Sequence, residues 1–263
     1  MLQMLGRLTS ANNDRVKHQF LSNPICKLSD SELVEIVQTM SKIAVTQPEA
    51  QIEAHAKLMV DWVRHCGTQG KGRTIRTALI DFLQDQFQPT YQSQHPNGTA
   101  RNDAELARKT TLRGNSKLLG RLFVAGMINE KIVHFVLDEL LYGRAPEKRA
   151  THLPEEWELE AFCDLLSTVA KNLSAKAHSE LIPVFLNSLD FRAAKARTHV
   201  RTLIMNLKEL YRNNWEVRRP ACAARPKTAE SAAQNDCALE LQPITSPWFQ
   251  PPAAPSTANA DWG

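Results

Sequence analysis

Aromatic residues are scarce in this chain, at 6% of 263 positions, and stretches alternating apolar with polar residues are hard to find. Half-buried strands show that alternation, with β-branched and aromatic enrichment, so a sheet-based fold is disfavoured. Long apolar runs are missing too. Stretches such as Leu181–Leu186 stop at six residues, far short of the roughly 20 that cross a bilayer, so no membrane partner is expected. The five cysteines, at 26, 66, 163, 222 and 237, include no C-x-x-C pair and are odd in number. That usage points to buried thiols in a reducing compartment and away from a disulfide framework. The opening MLQMLGRL meets Arg7 too early for a secretory signal, which leads to a cytoplasmic expectation. Neither charge sign dominates: 32 Lys and Arg face 28 Asp and Glu. A net charge of +4 permits an anionic partner such as RNA without demanding one.

Signatures of catalysis are lacking as well. GTQGKGRT at 67–74 has two residues between its first glycines where a phosphate-binding loop needs four, and Gly72 follows Lys71 where that loop has Ser or Thr. It reads as a basic linker. The eight histidines form no i, i+4 pair on one helix of the kind that binds zinc. Glu155, Glu156, Glu158 and Asp164 cluster, but acids favoured at a helix start explain the glutamates. The expectation is no enzyme, no cofactor and no metal.

Helical periodicity is present in abundance. Leu33, Ile36, Val37, Met40 and Ile43 mark one face of a helix over 29–45, with Ser29 or Asp30 as cap. A second helix follows Pro48 and ends near Gly67, and a third covers about Thr74 to Phe87. After a polar loop at 88–102, helix resumes at Asp103, breaks at Gly126 and restarts behind Asn129. Further stripes lie over 154–173, over 176–190 with Pro183 setting a first turn or a kink, and over 193–212. With a weaker helix near 10–22, these read as helix pairs starting at about 9, 48, 103, 154 and 193. The intervals approximate HEAT-type repeats, hairpins that stack because none buries its own face alone. An irregular helical bundle fits the periodicity equally well. Residues 220–263 hold seven prolines with many Ala, Ser and Thr, and read as a disordered tail. Trp248-Phe249 there is either a short docking motif or a stray aromatic pair. The expected division is a helical domain over 2–219 and a tail over 220–263.

GNSKLLGRLFVAGMINEKIVHFVLDELL, at 114–141, holds three glycines in otherwise helical sequence. Gly126 suits a left-handed C-cap. Gly120 costs about 1 kcal/mol relative to Ala, which close approach of a neighbouring helix would offset. Gly114 lies inside a long helix from 103 or marks a start capped by Asn115; the long helix is favoured. Between 101 and 121 six basic residues, Arg101, Arg108, Lys109, Arg113, Lys117 and Arg121, face two acids. Arg113, Lys117 and Arg121 share a helix face, a ridge able to follow phosphates or simply a solvated face. Lys195, Arg197, Arg201, Arg218, Arg219, Arg225 and Lys227 form a second cluster. RNA-binding candidates are Arg108, Lys109, Arg113, Lys117, Arg121, Lys195 and Arg197. Neither cluster has the interleaved aromatics that would stack bases.

The 114–141 segment resembles the signature of the middle domain of eukaryotic translation initiation factor 4G, with Gly114, Asn115, Lys117, Gly120, Leu122, Phe123 and Met127 in place. LGRLT at 5–9, LEAFCDLLSTVAKNL at 159–173, NNWEVRR at 213–219 and ARPKTAES at 224–231 are similar to further stretches of that family, in the same order. The resemblance covers about residues 5–219. It implies an all-α, HEAT-like α-solenoid of about five antiparallel helix hairpins, crescent-shaped. It also implies a translation-initiation scaffold that binds and stimulates the DEAD-box RNA helicase initiation factor 4A, contacts mRNA and meets other initiation factors. Leu5, Leu8, Thr9 and Arg201 stand where helicase contacts would fall. Gly6, His199 and Asn206 depart from the family pattern, which weakens the assignment of helicase contacts to the helix at 199–206. The cap-binding-factor motif is missing, because Tyr91, Tyr142 and Tyr211 are followed five residues later by Pro96, Glu147 and Glu216. Two alternatives stay open: a scaffold of the same fold in RNA surveillance or cap-complex assembly, and a general RNA-binding repeat module without a helicase partner.

Overall fold

The computed structural model describes residues 5–9, 11–87, 99–143, 153–175 and 180–216, without the side chains of 99–102 and 104. Among the described residues there is no strand. The helices are α1 (Asn13–Leu21), α2 (Asp30–Val45), α3 (Glu49–Gly67), α4 (Gly72–Phe87), α5 (Thr99–Val124), α6 (Glu130–Tyr142), α7 (Glu156–Ser174), α8 (Leu181–Ala193) and α9 (Thr198–Arg212), with a 3₁₀ turn at Ile25–Lys27. All belong to the unit Met1–Arg219. The Pro-rich segment from 220, with Trp248, Phe249, Cys222, Cys237, Arg225 and Lys227, lies outside the described residues, as do Arg218, Arg219 and Tyr91.

Local chemistry sets the helix ends. Ser29 accepts from the Glu32 amide, and the Glu32 carboxylate accepts from the Ser29 amide at 2.9 Å. This reciprocal pair satisfies two otherwise orphaned donors at the start of α2. Glu155 and Glu158 do the same for α7. Asn129 accepts from the Lys131 amide at 3.0 Å to open α6. Gly126 has φ +78°. Its amide donates to the Phe123 carbonyl, and the Met127 amide to the Leu122 carbonyl, each at 2.9 Å, the double closure of a glycine-terminated helix. Pro183 falls in the first turn of α8, where its missing N–H breaks no helical bond. Two boundaries differ from the sequence reading. Helix α5 starts four residues before Asp103, and α8 and α9 start five residues later than the stripes at 176 and 193 suggested.

The helices stack in chain order. α1 packs on α3, α3 on α5, α5 on α7 and α7 on α9, while α2 packs on α4 and α5, and α6 on α7. This is the chain-order stacking of a helical solenoid, with one contact that skips a pair, α2 of the first on α5 of the third. Four pairs are complete, and the fifth is represented among the described residues by α9. Two glycines explain how α5 sits so close to its neighbours. A Cβ on Gly114 would lie 1.9 Å from the Val45 carbonyl oxygen at the end of α2, and one on Gly120 would lie 3.0 Å from the Thr168 methyl on α7. Gly114 thus lies within the long helix, and its purpose is backbone-to-backbone approach.

The sequence spacing predicts one inward stripe for helix α3, Ile52, Ala56, Met59, Val60 and Val63; Val63 is only half-buried, and the helix as a whole is buried more extensively than that stripe. Besides Ile52, Ala56, Met59 and Val60, it buries His55, Leu58, Trp62 and Cys66, because α1 covers one side while α5 covers another. The described residues Leu5–Thr9 and Ala11–Lys27 run as a strap along α3. Leu5 and Leu8 are fully buried, His55 Nε2 lies 3.1 Å from the Leu5 carbonyl, and Phe20 meets Trp62 edge-on at 5.3 Å. Cys26 and Cys66 are joined by a disulfide, with Cα atoms 5.4 Å apart. This corrects the expectation of unpaired thiols. Spacing along the chain did not show it, because the strap brings together two cysteines 40 residues apart.

Candidate functional site

The basic ridge of α5 lies in the stack of first helices, between α3 and α7. Arg113 donates from Nε to Asp164 at 3.1 Å, pairs with Asp164 through Nη2 at 3.0 Å, and reaches Glu160 at 3.0 Å. Lys117 meets Glu49 at 2.9 Å and Asp164 at 3.8 Å. Arg121 meets Glu49 at 3.2 Å and Glu53 at 3.5 Å. Glu160 also lies 3.8 Å from His199 Nε2 on α9. Three cations therefore face four carboxylates in a seam crossing α3, α5, α7 and α9. Lys117 holds the Glu49 carboxyl below the ordinary carboxylate range, and Lys57 does the same for Glu53. The ridge is not a free positive stripe: its charges are neutralised by helices that the sequence reading could not place beside it.

The other RNA candidates also have partners. Arg108 lies over the Trp157 ring at 4.9 Å, and Lys109 pairs with Glu105 at 2.6 Å. Lys195 lies over Phe191 at 5.2 Å. Arg197 pairs with Glu156 at 3.3 Å, and Glu156 also accepts from the Arg197 amide. Arg108, Lys195 and Arg197 are more exposed than the seam cations, whereas Lys109, four residues before Arg113 on α5, is half-buried like it.

The helicase candidates divide into two groups. Leu5 and Leu8 are core residues, so they shape the surface from beneath and present no side chain to a partner. Thr9 is half-buried, and its amide donates to Asn12 at 2.7 Å. Arg201 donates to the carbonyls of Ala196 at 2.7 Å and Ala194 at 3.1 Å. It thus closes the turn between α8 and α9, a use of its guanidinium that periodicity cannot show. Large apolar side chains stand exposed on the later helices: Phe135 on α6, Val184 and Phe191 on α8, and Met205 on α9. The spacing over 176–190 puts Val184 on the inward stripe with Leu181, Phe185 and Leu189, and the structure corrects this by leaving it exposed. Phe135, Phe191 and Met205 were missed; their signal was a non-polar residue outside each stripe. The NNW motif is a turn in which Asn214 and Trp215 take φ +52° and +62°. It returns the Trp215 indole N–H to Ser174 Oγ at the end of α7, at 2.9 Å.

Among the described residues no group of three His, Cys, Asp or Glu side chains could hold a metal ion, and no helix is long and apolar enough to cross a membrane. The Cys163 thiol is buried and pushed up to about 12 by desolvation, which suits packing and not nucleophilic chemistry.

Comparison with known proteins gives this geometry its context. The model of the MIF4G domain matches residues 1–218. The chain is 24% identical over 242 residues to eukaryotic translation initiation factor 4 gamma of Schizosaccharomyces pombe, covering 81% of this chain and 17% of that protein. It is 28% identical over 160 residues to the Dictyostelium discoideum factor of the same name, covering 59% and 11%. The chain therefore spans only a small part of these relatives. In structure it is similar to the MIF4G domain of Trypanosoma cruzi translation initiation factor EIF4G5, with a TM-score of 0.52 and 27% identity over 81% of this chain and 94% of that one. The helix pairs, the glycine-mediated approaches in α5 and the match along nearly the whole described region lead to one conclusion: this chain belongs to the MIF4G domain family.

Proposed function

We propose that the chain is a non-catalytic scaffold of cytoplasmic translation initiation, which binds the DEAD-box helicase initiation factor 4A and raises its RNA-dependent ATPase. The observation that carries this reading is the family match over residues 1–218, together with relatives named as initiation factor 4 gamma. In this reading the helical domain ends near 219 and the segment from 220 is a tail. A stack of helix pairs piled in chain order offers a long surface to a two-lobed partner. Holding the lobes in a closing-competent arrangement shifts the helicase's conformational population in proportion to the difference in affinity.

The surface supports protein contact ahead of mRNA contact. The seam spends its cations on carboxylates, while Phe135, Val184, Phe191 and Met205 remain exposed, and apolar groups gain more from a protein face than from phosphates. Contact with mRNA falls to the exposed Arg108, Lys195 and Arg197 and the half-buried Lys109. The test is the ATPase rate of purified factor 4A with RNA, with and without this chain at saturation. A several-fold rise supports the reading. An unchanged rate with strong RNA retention points to an RNA-binding module instead, and an unchanged rate with neither overturns the helicase role.

A further inference from the structure

Besides core packing, four contacts among the described residues hold the strap, Leu5–Thr9 and Ala11–Lys27, along α3. The Leu5 carbonyl meets His55, Lys17 pairs with Asp61 at 2.7 Å, Phe20 packs on Trp62, and Cys26 is bonded to Cys66. Three are non-covalent and lie before the last turn of α3. The cysteine pair pins the far end, in that last turn. The Cα separation of 5.4 Å lies within the range a disulfide requires, so the bond closes without moving α3. The sequence has no other features of a disulfide-stabilised domain, and its hydrophobic core is large. The fold therefore does not need this bond in the way a small secreted domain does.

We propose that Cys26 and Cys66 form a redox-operated latch that sets how firmly the N-terminal strap is held against α3. Glutathione and its disulfide serve as reductant and oxidant. A glutathione thiolate attacks Cys26 Sγ, Cys26 being the less buried of the two residues. The bond between the cysteines breaks, and the electron pair leaves on Cys66 Sγ, which takes a proton from water. A second glutathione thiolate then attacks the glutathione sulfur of this mixed disulfide, and Cys26 Sγ leaves with the electron pair, giving glutathione disulfide and a Cys26 thiolate that is protonated in turn. Two electrons pass from two glutathiones to the protein, and glutathione disulfide drives the reverse. Cys66 is fully buried at the partially negative end of α3, where a thiolate is disfavoured. It is a poor leaving group, and exchange waits on lifting of the strap. The proposal does not depend on the helicase reading.

The full chain is equilibrated in glutathione buffers from reducing to oxidising. Alkylation and peptide mapping follow each cysteine, while parallel samples receive a deuterium pulse. The expected result is that Cys26 and Cys66 convert together at one midpoint, and that amides of α1 exchange at least about tenfold faster in the reduced form. Amides of α7 should be far less affected. C26A should show fast α1 exchange at every buffer ratio. Should that variant fail to fold, the comparison within the unaltered chain decides alone. Cys26 and Cys66 remaining open to alkylation under oxidising buffer, or α1 exchange equal in both forms, overturns the latch.

Discussion

Gly114 and Gly120 look alike in the sequence and differ sharply in what they prevent. At Gly114 an added methyl meets backbone, the Val45 carbonyl at 1.9 Å, and neither helix can yield without moving. G114A should cost about 3 kcal/mol, read as a lower urea midpoint at unchanged slope. At Gly120 the nearest atom is a Thr168 methyl at 3.0 Å. A small shift there is offset by the better helix propensity of Ala, so G120A should fall within about 1 kcal/mol of the parent. His55 makes a second prediction at this scale. Its two ring nitrogens face the carbonyls of Gln51 and Leu5 at 2.8 and 3.1 Å, and burial holds it below the ordinary imidazole value of 6.5. The folded chain keeps the ring neutral, so the unfolded chain takes up its proton first as pH falls. Stability from this residue is present above about pH 6.5 and lost as pH drops from there toward the lowered folded value. A His55→Gln variant should flatten that part of the stability–pH profile. Cap residues such as Ser29, Asn129 and Gly126 were legible in advance because their chemistry is local. The glycine at 114 was legible as a puzzle only, since its answer is an atom 69 residues away.

Among the elements, the stripes of α2, α4, α6 and α9 were readable because each buries one face. Helix α3 was read less completely because it is covered on more than one side, and alternation cannot show that. The basic face of α5 was visible in sequence, but its neutralisation was not. Lys117 and Glu49 are 68 positions apart, and only stacking reveals that α3 and α7 bring carboxylates to both flanks. Leu5 and Leu8 illustrate the same limit, since a resemblance marks a segment without saying which side chains point inward. The seam should act as a network. A double-mutant cycle on Arg113 and Asp164 should give a coupling of about 1 kcal/mol, falling at high salt. Thermal unfolding of the four cycle members in low and high salt measures it. Reduction of Cys26–Cys66 should lower stability by about 2–4 kcal/mol, seen as a lower melting temperature in reducing buffer.

At the scale of the whole molecule, the account is of a stack whose charges are used to hold it together and whose exposed apolar residues face outward. K117A should therefore lower the melting temperature while leaving any retention of RNA on a filter unchanged. A loss of RNA retention at constant stability would return the α5 ridge to the phosphate-binding role first considered for it. The most direct measurement of the central claim is a calorimetric titration of factor 4A into the purified chain without RNA. The account predicts a one-to-one complex with a dissociation constant of about 10 μM or tighter. No heat and no co-elution at concentrations well above that value would contradict it.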